Sequence, residues 1–248
     1  MYQFFVEENQ LTGDRIAILG NDVNHIKNVL RMKSGERVRV SISDNGRSFF
    51  GIIDSISEDE VIVQVESEDE NGTELENRIY LFQGLPKGDK MELIIQKAVE
   101  LGVYEIIPVS MKRCVVKLDD KKASSKIAKW QAISESAAKQ SGRSIIPCVR
   151  NVMSYKEALN YAFTMDYTIV PYELAEGMEA TKAALANIKP GMDVAVFIGP
   201  EGGFDVSEIA EAGEKGIVPI SLGKRILRTE TAGLAVMSII MYHLEIGE

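Results

Sequence analysis

The sequence VAVFIGPEGGF at residues 194–204 is followed closely by IVPISLGKRILRTETA at residues 217–232. Each stretch begins with a short apolar run typical of a buried strand, passes through a glycine-containing turn, and leads into a helical pattern. Open α/β sheets bind small ligands at the carboxyl ends of adjacent parallel strands, and glycine lets the backbone approach a ligand closely. The two stretches therefore predict an α/β fold with a ligand site between two glycine turns.

The chain from residue 77 onward alternates between strand-like and helix-like patterns. Apolar runs predict strands at 78–83, 105–109, 165–171, 194–197 and 217–220, and apolar residues at helical spacing predict helices at 87–101, from Ser124 or Ser125 to about 140, and at 229–244. Such alternation indicates a parallel sheet covered by helices on both faces.

The first 70 residues have a different pattern, rich in β-branched and aromatic residues at 37–42, 49–53 and 61–65. Between the first two runs, Asp-Asn-Gly at 44–46 is a turn signal. A helix is expected at 22–31, with Val23, Ile26, Val29 and Leu30 on one face. Short strands with one helix suggest a small barrel. A polar run at 67–74 reads as a linker, so two domains are expected, at residues 1–72 and 73–248.

Composition excludes several classes of protein. No apolar run approaches the roughly 20 residues that span a bilayer, and the N-terminus lacks the features of a signal peptide. Cys114 and Cys148 are too few for a disulfide framework or a structural zinc site, and no His/Cys cluster indicates another metal. We therefore expect a cytoplasmic protein with reduced thiols, no bound metal and no membrane association.

Charge is distributed unevenly along the chain. The net charge is −9, yet residues 112–150 hold ten Lys/Arg against three Asp/Glu. A basic block in an acidic protein is suited to a local contact with phosphates, although a solvated lysine-rich helix face would look the same.

The motifs GPEGGF and LGKRILRTETA together resemble the cofactor-binding region of the RsmE family, bacterial rRNA methyltransferases of the SPOUT class that act on N3 of a uridine in 16S rRNA. The segment HIKNVLRMKSGERVRV at residues 25–40 is similar to the N-terminal PUA-like domain of that family. The resemblance implies a SPOUT-type knotted parallel sheet (a trefoil knot) preceded by a small PUA-like β-barrel. It also implies S-adenosyl-L-methionine as cofactor, the small ribosomal subunit as partner, and a homodimer. Lys224 stands where the family more often has proline.

The needs of this cofactor fit the glycine turns. Its adenine needs an apolar slot and backbone hydrogen bonds, and its sulfonium cation favours a nearby carboxylate such as Glu201 or Glu173. The residues expected to bind it are Pro171, Tyr172, Glu173, Gly199, Glu201, Gly202, Gly203, Ser221, Leu222, Gly223, Ile226, Leu227 and Thr231.

Catalysis at uracil N3 requires loss of a proton, which an adjacent cation would favour. We expect Arg228 to supply that cation and Glu201 to assist at the reacting centre. The alternative is that Arg228 forms a structural salt bridge to Glu230 or Glu201. The resemblance further implies RNA contacts from His25, Arg31 and Lys33 in the first domain, and from Arg113 and Arg143 in the catalytic domain. Arg143 at a helix end would serve the helix dipole equally well.

Three other functions are compatible with the sequence. The chain could be a SPOUT enzyme that acts on tRNA or a ribose 2′-oxygen, although such relatives usually carry asparagine in the final motif. It could be a non-catalytic RNA-binding assembly factor, or a nucleotide-binding α/β enzyme unrelated to RNA. The predicted final helix is apolar nearly all round and must be buried. Because the resemblance implies a homodimer, we expect a second subunit to bury it.

Overall fold

The chain forms two compact units in a computed structural model that describes residues 1–175 and 177–245. The first unit consists of Met1–Glu74 and Ala138–Ile146, and the second of Leu75–Ala137 and Pro147–Glu248. Residues 138–146 thus return to the first unit after the chain has entered the second. The two expected domains, 1–72 and 73–248, are continuous segments and do not include this return.

The first unit is built on a six-stranded sheet in the order β1-β4-β5-β6-β3-β2. Its strands are β1 (Tyr2–Val6), β2 (Leu11–Thr12), β3 (Arg15–Leu19), β4 (Arg37–Ile42), β5 (Ser48–Ile56) and β6 (Glu60–Glu68). The β1–β4 pair is parallel and the other pairs are antiparallel. The sheet curls into a half-barrel around a core that includes Phe4, Ile16, Val40 and Ile53. The expected β-rich first domain is confirmed, with β1, β2 and β3 as strands that the sequence patterns do not predict.

The expected helix after β3 is divided into two parts. It consists of α1 (Asn21–Asn24) and a π-helical segment, His25–Leu30. Val23 and Ile26 are buried as expected, but Val29 is 61% exposed. The prediction for Val29 is wrong because the wider turn of a π-helix shifts its side chain away from the face that a 3.6-residue period would give it.

The returning segment is joined to the first unit by a buried polar network. Arg39 Nη1 donates to the Gly142 carbonyl, and Gln3 Nε2 donates to the Arg143 carbonyl. The Arg143 side chain is 4% exposed and pairs with Glu74, with Nε donating to Oε1 at 2.9 Å. Arg143, Arg39 and Gln3 are therefore parts of the folded first unit.

The second unit is built on a wholly parallel sheet in the order β10-β8-β7-β12-β11-β13, with β9 also pairing with β8. Its strands are β7 (Arg78–Gly84), β8 (Val103–Ser110), β9 (Cys148–Val149), β10 (Met153–Ser154), β11 (Tyr167–Pro171), β12 (Asp193–Ile198) and β13 (Pro219–Ile220). Its helices are α2 (Lys90–Glu100), α3 (Asp120–Ser141, whose end from residue 138 belongs to the first unit), α4 (Tyr155–Ala162), α5 (Glu179–Asn187), α6 (Val206–Glu214) and α7 (Thr229–Glu245).

The centre of this sheet is fully buried, which explains its continuous apolar runs. Phe82 on β7 stacks on Phe197 on β12 with ring centroids 4.4 Å apart. The expected α/β class with a parallel sheet is confirmed. The threading of the C-terminal segment into a trefoil knot stays a prediction. Among residues 1–175 and 177–245, no helix combines the length and apolar character needed to cross a membrane.

Candidate active site

Three loops at the carboxyl ends of β11, β12 and β13 enclose a pocket of about 430 Å³ in the second unit. This is the edge at which open α/β sheets bind ligands, and the volume suits a small organic molecule. The residues that line it are Lys90, Pro171, Tyr172, Glu173, Ile198, Gly199, Pro200, Glu201, Gly202, Gly203, Phe204, Ser221, Leu222, Gly223, Lys224, Arg225, Ile226, Leu227, Arg228, Thr229 and Ala232.

The loop after β12 is held tightly on its outer side by Arg113. The Arg113 guanidinium donates to the Gly202 carbonyl at 3.0 Å and lies 3.6 Å from the Asp205 carboxylate. A Cβ on Gly202 would stand 3.0 Å from the Arg113 Cβ. The loop ends at the start of α6, where Asp205 and Glu208 form the expected capping box. A larger residue at 202 would therefore require Arg113 to shift by a few tenths of an ångström.

Hydrogen bonds from Thr181, Tyr172 and within the turn hold the loop after β13 in place. Thr181 Oγ1 donates to the Ser221 carbonyl at 2.6 Å, and the Tyr172 N–H donates to the Ile220 carbonyl at 2.9 Å. Ser221 Oγ accepts from the Gly223 N–H at 3.2 Å. These contacts hold the turn in place and connect the loops that follow β11 and β13.

Thr229 joins the first turn of α7 to two strands of the sheet. Its Oγ1 donates to the Gly199 carbonyl at 2.6 Å and accepts from Gln83 Nε2 at 2.9 Å. Thr229 is 5% exposed and Gln83 is fully buried. A buried hydroxyl that is both donor and acceptor thus joins the start of α7 to β7 and to the loop after β12.

Lys90, at the start of α2, connects two motifs on the pocket wall. Its Nζ lies 3.0 Å from Glu201 Oε1 and 3.4 Å from Glu230 Oε2. Glu201 also accepts from the Lys87 N–H at 3.0 Å. Burial raises the pKa of Glu201, but the hydrogen bonds from Lys87 and Lys90 outweigh it and hold that pKa below its ordinary value. The Glu201 carboxylate is therefore held in place by Lys87 and Lys90.

Arg228 is exposed on the pocket loop, as are the cationic side chains of Lys224 and Arg225. In the part of the chain that the structure describes, no ion pair joins Arg228 to Glu230 or Glu201; both carboxylates pair with Lys90 instead. The structural salt bridge considered for Arg228 is therefore not formed, and its guanidinium remains available to a bound molecule.

The structure brings together every residue expected to bind the cofactor except Thr231, which is exposed on α7 and outside the pocket lining. Thr229, two residues earlier, lines the pocket instead, because the helix directs residue 231 to its other face. Ile226 is 88% exposed and stands at the rim, so Leu222 and Leu227 are the half-buried apolar residues of that loop. The roles of these residues in binding stay predictions.

Several lining residues are not predicted by the sequence analysis. Ile198 and Phe204 are buried apolar residues that flank the glycine turn, and their position beside the motif is the signal that would have indicated them. Lys90 lies more than a hundred residues before either motif, and no local pattern indicates it. Gly84 does not line the pocket, but a Cβ there would stand 2.7 Å from Pro200, which does.

The residues expected to contact RNA occupy different environments. His25, Arg31 and Lys33 are exposed on the first unit, where Arg31 ends the π-helical segment in the left-handed conformation (φ 54°). Arg113 is partly engaged by the loop after β12. Arg143 differs from the expectation, because it lies in the first unit rather than the catalytic one and its charge is buried against Glu74.

No group of His, Cys, Asp or Glu side chains suited to a metal ion occurs among the described residues.

Comparison with known proteins identifies the class to which this fold and pocket belong. Residues 73–241 match a family model described as an RNA methyltransferase domain, and residues 18–66 match one described as an RNA methyltransferase PUA domain. The class is thus an RNA methyltransferase joined to a PUA domain. The chain is 38% identical to ribosomal RNA small subunit methyltransferase E of Bacillus subtilis, over 99% of this chain and 98% of that protein. It belongs to that family, the RsmE family, as its two glycine motifs predict.

Two similar solved structures contain the cofactor. A ribosomal RNA small subunit methyltransferase E from Neisseria gonorrhoeae, bound to S-adenosyl methionine, is 32% identical with a TM-score of 0.83, covering 97% of this chain and 96% of that one. A methyltransferase from Legionella pneumophila, in complex with bound SAM, is 31% identical with a TM-score of 0.82, covering 96% of each chain.

Proposed function

We propose that this protein transfers a methyl group from S-adenosylmethionine (SAM) to N3 of a specific uridine in 16S rRNA of the small ribosomal subunit. The observation that carries the proposal is a glycine-lined pocket with the guanidinium of Arg228, which pairs with no carboxylate of the described residues, on its wall. Membership of the RsmE family supports rRNA as the substrate, and the relatives solved with SAM support the cofactor.

The pocket fits SAM in size and chemistry. Its volume of about 430 Å³ lies within the range of small-molecule sites. Ile198, Phe204, Leu222 and Leu227 provide apolar surface for an adenine ring, and the loop backbone near Gly223 provides donors and acceptors for its edge. The Glu173 carboxylate lies on the pocket wall, where a negative charge would stabilise a sulfonium cation.

SAM, when bound, supplies an electrophilic methyl group for in-line displacement. The contribution of this chain is to orient the acceptor ring and to stabilise its charge. Uracil N3 becomes nucleophilic when its proton leaves, and a guanidinium beside the ring favours the resulting anion. Arg228 fits this role because its charge has no carboxylate partner among the described residues. Positioning by rigid loops supplies much of the remaining rate.

The first unit supplies RNA binding in this proposal. His25, Arg31 and Lys33 present exposed polar and cationic side chains within nine residues of one another. Contacts of this kind go mainly to phosphates and position the RNA without reading its sequence. The basic character of residues 112–137 and 147–150, the parts of the basic block that lie in the second unit, adds a further site of attraction for the RNA backbone.

Homodimer formation is part of the proposal. One face of α7 is buried and includes Val236, Met237 and Ile240. On the other side, Ile239 and Tyr242 are 36% and 65% exposed. A second copy that covers these side chains would complete the burial of α7. Sedimentation of the purified chain as a monomer would exclude it. As a modifier of 16S rRNA, the protein would act in the cytoplasm.

The test compares 16S rRNA from cells with and without the gene by mass spectrometry. We expect one methylated uridine to disappear in the deletion strain and to return with the wild-type gene. Purified protein should then methylate small subunits from the deletion strain when SAM is added. Calorimetry distinguishes the main rival: an assembly factor without catalytic activity would bind RNA but not SAM. A deletion strain with unchanged rRNA methylation would refute the proposal.

A further inference from the structure

We propose that Lys90 is a positioning residue that neutralises Glu201 and Glu230 and so keeps the Arg228 guanidinium free to face the substrate. The inference rests on the proposed function, because it assigns Arg228 a substrate-facing role. Lys90 lies on α2, far in sequence from both glycine motifs, and it lines the same pocket.

The geometry around Lys90 forms a three-centre ion cluster. Its Nζ lies 3.0 Å from Glu201 Oε1, on the loop after β12, and 3.4 Å from Glu230 Oε2, in the first turn of α7. The side chains are 32%, 28% and 16% exposed for Lys90, Glu201 and Glu230, so each charge is partly removed from water. One cation thus joins the two motifs that enclose the pocket.

The two carboxylates depend on Lys90 to different degrees. Glu201 keeps a second donor, the Lys87 N–H at 3.0 Å. Glu230 Oε2 is buried and accepts no hydrogen bond in residues 1–175 and 177–245, so its ion pair with Lys90 is its main electrostatic compensation. A partly buried carboxylate without a counter-ion attracts any nearby cation strongly.

Arg228 is an exposed cation on the loop that leads into the first turn of α7, where Glu230 lies. It precedes Glu230 by two residues, and its exposed side chain has no carboxylate partner among the described residues. If Lys90 is removed, Glu230 should capture the guanidinium and withdraw it from the pocket. Lys90 therefore acts on the reaction through Arg228, without contact with the reacting atoms.

The experiment uses five full-length proteins: wild type, Lys90→Met, Lys90→Arg, Glu230→Gln, and the double variant Lys90→Met/Glu230→Gln. Measurements are the single-turnover rate of methyl transfer to small subunits at saturating SAM, the SAM dissociation constant by calorimetry, and the crystal structure of Lys90→Met.

We expect Lys90→Met to lower the transfer rate by about tenfold or more while SAM affinity changes by less than about threefold. Lys90→Arg should retain most of the rate. The double variant should recover most of what Lys90→Met loses, because the capturing carboxylate has been removed. Removal of Glu230 would also relieve a purely structural defect caused by its uncompensated charge, so the position of Arg228 in the crystal structure of Lys90→Met distinguishes the two roles.

The crystal structure of Lys90→Met tests the inference independently of the proposed function. Arg228 within salt-bridge distance of Glu230 in Lys90→Met would support it even if wild-type protein proved inactive on rRNA, which would refute the proposed function alone. Arg228 in its wild-type position, or a double variant as slow as Lys90→Met, would overturn the inference.

Discussion

The Glu173 carboxylate lies against the backbone of Gly203, so that a Cβ on Gly203 would stand 2.6 Å from Glu173 Oε1. Gly203 also has a φ of +66°, in the left-handed region that favours glycine. The loops after β11 and β12 therefore come close at this point, where the Glu173 carboxylate lines the pocket. Position 203 allows no side chain without a shift of Glu173.

Replacing Gly203 with alanine should damage the pocket without unfolding the protein. The left-handed backbone costs an alanine about 1–2 kcal/mol, and the new methyl group would displace Glu173. We expect SAM affinity, measured by calorimetry, to weaken about tenfold or more. The matched control is Gly213→Ala in α6, where a Cβ meets nothing within 4 Å and φ is not positive. Equal SAM affinity for Gly203→Ala and wild type would contradict the role assigned to this contact.

Arg228→Ala should lower the rate of methyl transfer far more than the affinity for SAM. Loss of the charge that stabilises a uracil anion is expected to lower the single-turnover rate about a hundredfold or more, with SAM affinity nearly unchanged. Lys224→Ala is the control, because Lys224 is an exposed cation on the same loop. The assignment fails if both variants lose the same small amount of activity.

Arg113→Ala separates a loop-holding role from an RNA contact. Because Arg113 donates to the Gly202 carbonyl, we expect the variant to bind SAM more weakly. If Arg113 instead neutralises a phosphate, the salt dependence of RNA binding would lose about one unit of slope. Titrations with RNA at several salt concentrations, beside SAM calorimetry, measure both effects on the same protein.

Thr229→Val and Thr231→Val form a matched pair on one helix. The first removes a buried hydroxyl that bonds Gly199 and Gln83, and should destabilise the protein by about 1–3 kcal/mol. The second changes an exposed side chain outside the pocket lining and should leave the melting temperature nearly unaltered. Thermal melts compare the two. A loss of SAM affinity in Thr231→Val would support the cofactor role predicted for that residue from sequence.

Arg143→Ala should destabilise the first unit. It leaves the Glu74 carboxylate without the guanidinium that pairs with it, and breaking a buried pair costs about 3 kcal/mol or more. Arg37→Ala is the control, because Arg37 and Glu66 form an exposed pair whose loss costs about 1 kcal/mol or less. Denaturant unfolding gives both values. An Arg143→Ala protein as stable as wild type, with weakened RNA binding, would instead support the predicted RNA contact.

Local sequence patterns predicted the parallel sheet and the glycine turns that line the pocket, because strand, turn and capping signals are carried by neighbouring residues. Asp205 and Glu208, for example, form their capping box within a single turn. Patterns of this kind assume regular geometry, and the π-helical turn at His25–Leu30 breaks that assumption for Val29.

Contacts over long sequence separations could not be predicted in this way. Lys90 pairs with residues 111 and 140 positions away, and nothing near Lys90 in sequence distinguishes it from other exposed lysines. Arg143 follows a helix and stands in a basic block, which favours a phosphate contact, yet it pairs with Glu74, which lies 69 residues earlier. Motif reading finds the loops that form a site, whereas the counter-ions that hold them come from the tertiary fold.

The return of Ala138–Ile146 to the first unit has a consequence for biosynthesis. During translation at about 5–20 residues per second, the strands of the first unit are complete roughly 4–14 s before the segment that joins them has been made. Throughout that interval Glu74 has no Arg143 to neutralise it. Residues 1–74 therefore cannot complete the first unit until residues 138–146 have been synthesised.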